Sequence, residues 1–210
     1  MKGLLYKDLI VMKRTYRVYL FLVLLFFGIS IFNPSNTFWA VYATFLTCTV
    51  VSTLQNSDET SGWARTCDTV PITRSQLVTE RFLLAFLLNL ATIALYALTS
   101  GISALFGLGA TLGTALVTLL SMFMIGILSM SVTLTLAFLF GPQKSGLYRI
   151  ALIVVMVVIC MSIINYGSGF ITGLQNLPPL VLALAGIGFP ILFMTGSWKL
   201  ACAGYSRRFF

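Results

Sequence analysis

An all-α, polytopic membrane protein with six transmembrane helices is the fold that this sequence predicts. Three observations carry that expectation. Apolar residues make up 59% of the chain and charged residues 9%, against about 45–50% and about 25% in soluble domains. The mean hydropathy is +1.00. The apolar residues also gather in runs suited to crossing a hydrocarbon core about 30 Å thick, for which about 20 helical residues suffice.

Two parts follow from the pattern: an N-terminal amphipathic helix over residues 1–17, and a six-helix transmembrane domain over residues 18–210. In the first part, Leu5, Leu9, Met12 and Tyr16 fall on one stripe of a helical wheel, with Lys7, Lys13, Arg14 and Arg17 on the other side. That is the pattern of a helix lying in the lipid headgroup plane. A basic flank that merely sets topology explains the charges equally well but leaves the apolar stripe unexplained. The segment does not read as a cleavable signal peptide, because its charges continue to Arg17 and no small-residue cleavage site follows the next apolar run.

Six spans are expected, at residues 18–32, 37–54, 82–106, 112–140, 150–171 and 180–198. The connectors "NPSN", "GLGA" and "QNLPP" carry no charge. Lys and Arg instead number five before the first span, three between the second and third, two between the fourth and fifth, and three at the C-terminal end, accounting for all 13. The positive-inside rule then places both termini and the 55–81 loop in the cytoplasm, in a plasma-membrane protein with an even number of crossings. The fourth span has 29 residues, or about 43 Å of helix, so it must tilt, bend or project. Gly126 offers a place to bend, and Gly109 with Gly113 forms a GxxxG spacing that lets helices approach closely.

Several function classes are excluded or disfavoured. No Asp, Glu, Lys or Arg lies well inside a span, where each would cost about 2.5–3.5 kcal/mol or more and would mark an ion or proton path. There is no His, no in-membrane carboxylate pair and no GxSxG elbow, which argues against intramembrane hydrolysis. The four cysteines lack metal-ligand spacing. No phosphate-binding glycine loop is present, so any ATP with its Mg would sit on a separate chain and this chain needs no cofactor of its own. A net charge of +8 is accounted for by topology and anionic lipid, and gives no reason to expect nucleic acid as a partner.

The polar groups left within the spans are neutral, and Asn89, Asn165 and Tyr166 stand out among them. Helix–helix hydrogen bonds, at about 1 kcal/mol each, account for such residues. The alternative is that they line a path for a hydrophobic or amphipathic substrate.

Residues 56–82, "NSDETSGWARTCDTVPITRSQLVTERF", hold four of the five acids, together with Arg65, Arg74 and Arg81. Ser57 or Asp58 is expected to cap a short helix running toward Thr66, with Glu59 near its positive end. Pro71 breaks it and suits the first turn of a second helix over residues 72–81, which then enters the third span.

Within this loop "SGWARTCDTVPITRSQLVTERF" resembles a stretch of ABC-2-type ABC transporter permeases, the small six-helix membrane subunits of bacterial peptide and drug exporters. The matching positions are Gly62, Trp63, Pro71, Thr73, Arg74, Leu77, Val78 and Arg81, and the opening "MKGLLYKDL" is similar to the starts of those permeases. The resemblance implies a cytoplasmic coupling helix between the second and third spans, docked on a cytosolic ABC ATPase subunit. It also implies a second permease, as a homo- or heterodimer. Trp63, Pro71, Thr73, Arg74, Leu77, Val78 and Arg81 would form the ATPase-coupling segment, with Arg74 and Arg81 offering ion pairs and Trp63 an aromatic anchor. For Trp63 a place in the aromatic belt at the headgroups is an equal alternative. Two other classes stay open: the substrate-capturing membrane subunit of an ATPase-dependent vitamin importer, and a structural membrane protein without a transport role.

Overall fold

The computed structural model describes residues 2–15, 17–32, 38–63, 73–106, 112–141 and 179–206. Every element among them is an α-helix: α1 (Lys2–Thr15), α2 (Arg17–Phe32), α3 (Phe38–Thr60), α4 (Arg74–Leu105), α5 (Leu112–Phe140) and α6 (Pro179–Ser206). Two helices, Arg74–Leu105 and Ala115–Phe140, are long and apolar enough to cross a membrane, and α1 with α2 forms a bent pair that passes the same test jointly. The fifth expected span, at residues 150–171, lies outside the described residues, as do Pro71, Asn165 and Tyr166.

Helix ends follow local chemistry. The second expected span, ending at residue 54, continues as helix through Thr60, so Ser57 and Asp58 belong to the last turns of α3 and do not cap a new helix. Gly62, at φ +74°, then turns the chain in a left-handed conformation that a side chain would strain. At the start of α4, Thr73 Oγ1 accepts the Gln76 N–H at 3.4 Å, and the Thr73 N–H donates to Gln76 Oε1 at 3.1 Å. This reciprocal capping box satisfies two amides that the helix leaves unpaired. From there α4 runs unbroken for 32 residues, joining the polar turns 74–81 to the apolar run that begins at Phe82.

α4 and α5 form the middle of the bundle. α4 packs on α2, α3, α5 and α6, and α5 has its most extensive contact with α6. At the end where α3 finishes and α4 starts, the core joins Cys48 and Val51 of α3, Val78 and Phe82 of α4, Leu134 and Phe138 of α5, and Ala201 and Tyr205 of α6. At the other end Phe27 of α2, Ala43 of α3, Tyr96 of α4 and Met122 of α5 meet. Thr135 Oγ1 approaches the Ser197 carbonyl at 3.3 Å, and the Phe138 and Tyr205 rings meet edge to face at 5.2 Å, so α5 and α6 run parallel.

Gly126 sits within an uninterrupted helix. It serves close approach: a Cβ there would lie 2.1 Å from Asn89 Oδ1 of α4. Its carbonyl also receives the Cys48 thiol of α3 at 3.9 Å. Asn89 is fully buried, and neither amide heteroatom has a hydrogen-bond partner. Gly113 has no neighbour within 4 Å, so it brings no described helix close.

Gly126→Ala is therefore expected to destabilise the bundle by about 1–3 kcal/mol through overpacking. Asn89→Ala in the same chain should restore most of that loss. Thermal unfolding of the four combinations in detergent measures the coupling, and additive effects would rule out the contact.

Candidate functional site

The charges of the described residues converge at the polar end of the bundle, where α1 crosses the end of α3 and the start of α4. Asp8 and Met12 of α1 are buried, one turn apart, while Leu9 is 52% exposed and Lys13 and Arg14 face outward. Of the expected apolar stripe, Met12 thus faces the bundle and Leu9 faces away, and Lys7, expected on the basic side, is turned partly in. Met12 packs against Val50 and Leu54 of α3 and Leu84 of α4. Ion pairing of Lys7 and Asp8 sets this rotation, since their partners lie on the same two helices.

Arg81 is the centre of the arrangement and is 2% exposed. Its NH1 lies 2.7 Å from Asp8 Oδ2, its NH2 contacts Asp58 Oδ2, and its Nε lies 3.7 Å from Glu80 Oε2. Three guanidinium nitrogens thus face three carboxylates carried by α1, α3 and α4. Lys7 Nζ bridges the outer side, at 3.0 Å from both Asp58 oxygens and 3.3 Å from Asp8 Oδ1. The same ammonium stands 4.5 Å from the centroid of the Trp63 ring, a cation–π contact. Beside the cluster, Gln55, Asp58, Trp63, Leu77, Arg81, Phe138 and Tyr205 line a small, partly open cleft.

α6 is tied to the same end through a short relay. The Trp198 indole N–H donates to Thr79 Oγ1 at 3.0 Å, and that hydroxyl donates to the Ser75 carbonyl at 2.7 Å. The first turns of α4 therefore rest on α1, α3 and α6 together.

The residues singled out in the sequence divide accordingly. Thr73 is exposed and caps α4, and Arg74 is half-buried in its first turn. Leu77 and Trp63 are half-buried on the cleft. Val78 is fully buried core. Arg81 was expected to offer an ion pair to a partner, but it is enclosed and paired within the chain. Asn89, for which a helix–helix hydrogen bond or a place along a substrate path was expected, packs against Gly126 with no side-chain hydrogen bond. Asp8, Lys7, Asp58 and Glu80 were given no part in a site. Their one signal was scarcity: the chain has only five acids, and Asp8 is the one acid of a basic amphipathic helix. Among the described residues no group of His, Cys, Asp and Glu could hold a metal ion.

Removing Arg81 takes from buried Glu80 its ion-pair partner and leaves buried Asp8 with Lys7 alone. Arg81→Ala is expected to cost about 3–5 kcal/mol, whereas Ser75→Ala on the exposed face should stay within about 0.5 kcal/mol. Thermal unfolding in detergent compares the two, and an Arg81→Ala chain as stable as the parent would mean that the cluster does not hold this end together.

A family model described as ABC-2 family transporter protein matches residues 3–206. No curated protein and no solved structure matches the chain. The match takes in all six described helices, the charge cluster and both segments on which the sequence resemblance rests. The chain belongs to the ABC-2 family of transporter membrane proteins, as a permease of the kind that works with a partner ABC ATPase and is not itself the catalytic subunit.

Proposed function

We propose that this chain is the transmembrane permease subunit of an ATP-driven ABC exporter. With a second permease it forms the path for a hydrophobic or amphipathic cargo, a peptide or a drug. A separate cytosolic ATPase binds ATP and Mg and couples through the 55–81 segment. In this reading both termini and that segment lie in the cytoplasm of a multi-pass plasma-membrane protein.

The observation that supports the coupling role is the build of the polar end. Thr73, Ser75 and Gln76 are exposed in the first turn of α4, over a floor made by Arg81, Asp58, Asp8 and the Trp198–Thr79 contact. A surface that must pass force from a partner to a membrane helix needs to be accessible outside and rigidly attached inside. The first turn of α4 has both properties, because it is exposed on one face and continuous with the helix beyond it. Arg74, Thr73 and Leu77 remain the contact residues in this reading, and Trp63 flanks them. Arg81 and Val78 act from beneath, by fixing the surface in place. The uncharged bundle suits a cargo with apolar surface better than an ion.

Purification in mild detergent from the native host is expected to bring down an ABC ATPase subunit. Arg74→Glu together with Ser75→Arg should weaken that association by about tenfold or more, or about 1.4 kcal/mol, while the unfolding temperature of the permease changes little. Retention of the ATPase at parental strength, with parental cargo-stimulated ATP hydrolysis, would remove the first turn of α4 from the interface. Absence of any ATPase in the native preparation would count against the transporter reading as a whole.

A further inference from the structure

Among the described residues, the cluster at the polar end sets two cations, Lys7 and Arg81, against three carboxylates, Asp8, Asp58 and Glu80. One negative charge is left over. Asp58 is the most exposed of the three and the best supplied, receiving Lys7 on both oxygens and Arg81 on one. The excess therefore falls on Asp8 and Glu80, which are 1% and 2% exposed. Asp8 Oδ1, Asp8 Oδ2 and Glu80 Oε1 are all buried without a hydrogen-bond donor: the Arg81 NH1 approach to Asp8 at 2.7 Å is an ion pair outside hydrogen-bonding alignment. Three orphaned acceptors around a surplus negative charge lack one thing, a donor that carries a positive charge. Burying such a group is costly enough that it neutralises by taking up a proton.

We propose that the cluster is a single-proton site, in which Glu80 of α4 holds one proton beside Asp8 of α1, and loss of that proton loosens α1 from α3 and α4. The proton turns Glu80 into a donor and brings the cluster to neutrality, with Arg81 and Lys7 left to balance Asp58 and Asp8. Like-charged carboxyl groups held close by a common neighbour behave this way.

The surroundings agree with the assignment. Glu80 precedes the apolar run at residues 82–106, on the polar turns of α4. Burial, reinforced by the Asp8 carboxyl, pushes it up to about 8 from 4.5, against the opposing pull of Arg81. The charged groups around it are Lys7 and Asp8 from α1, Asp58 from α3 and Arg81 from its own helix. On the neighbouring cleft, α5 contributes Phe138 and α6 the phenol of Tyr205.

The sign follows from linkage. The docked state holds its proton more tightly than the undocked one, so the attachment of α1 is at full strength below 4.5 and is lost as pH rises through about 8. Nothing in this proposal requires the ATPase or the transport reading, and its test can fail while those stand.

The test uses the full chain in lipid nanodiscs, with two measurements taken together as pH is raised. Infrared difference spectra report the carbonyl stretch of a protonated carboxyl group, and hydrogen–deuterium exchange, corrected for intrinsic rates, reports protection of α1. The expected result is a protonated-carboxyl band that disappears as pH passes about 8, with α1 exchange rising in step toward the one-proton limit of about tenfold per pH unit. Glu80→Gln should remove the band and make α1 protection insensitive to pH. Asp8→Asn, which leaves Glu80 ionisable, should also flatten the α1 response. A parent chain with no such band below about 8 overturns the proposal, and would mean that a further cation neutralises the cluster. A band that titrates while α1 protection stays flat overturns the loosening, and a band that survives in Glu80→Gln overturns the site. The parent-chain measurements decide the matter even if a variant fails to fold.

Discussion

One guanidinium holds the polar end of this protein together. Arg81 is enclosed on α4, and its three nitrogens face carboxylates on α1, α3 and α4 itself. A planar, always-charged group with a fixed fork of donors can meet several acids at once, which a lysine ammonium on a flexible stem does less well. Bringing it out of water is affordable only because the acids come with it: a buried charge that loses its partner costs several kcal/mol. Every helix that supplies an acid is therefore tied to this spot. The turn of α1, the overrun of α3 past its apolar stretch and the position of Lys7 over Trp63 all follow from that one requirement.

How much of this was legible in the sequence depends on the range of the force involved. Where adjacent residues decide, the expectation came close: residues 112–140 form α5 with both bounds as expected, and the second helix of the polar segment, expected to include Thr73, begins one residue later at Arg74, with Thr73 as its cap. Where distant residues decide, it did not. A hydropathy reading ends the second span at Leu54 because "QNSDET" is polar, yet α3 continues to Thr60 because Asp58 finds Lys7, 51 positions away, and Arg81, 23 positions away. The inward place of Asp8 on α1 was not legible for the same reason, since a helical wheel weighs it only as one more polar residue. No periodicity announces that a carboxylate will meet a guanidinium from another helix. The candidate coupling segment was legible as a motif, but which of its residues face outward and which are locked within became visible only through packing.

The bundle's interior polarity is managed by the same economy on a smaller scale. Thr135 hydroxyl lies within hydrogen-bond reach of carbonyls on both α5 and α6, and Thr79 links Trp198 to the backbone of α4. The Asn89 amide departs from this pattern, fully buried and without a side-chain hydrogen-bond partner where Gly126 leaves it room. An amide placed so costs stability, yet it also keys α4 to one position on α5, because only a residue without a side chain can face it. Its part in the described fold is to set the register of two helices.

That register gives α4 a mechanical character. The helix is about 48 Å long and has no internal break. Asn89 divides it into two nearly equal arms, one reaching back to the polar end and the other forward to Leu105. A stiff beam keyed near its midpoint is a balanced lever: in the proposed coupling role, a push of a few ångströms on Arg74 would emerge as a swing of similar size and opposite direction at the far side. What counts is how firmly the beam is held at its fulcrum and gripped at its driven end, the two places where a glycine meets an asparagine and where one arginine collects its acids.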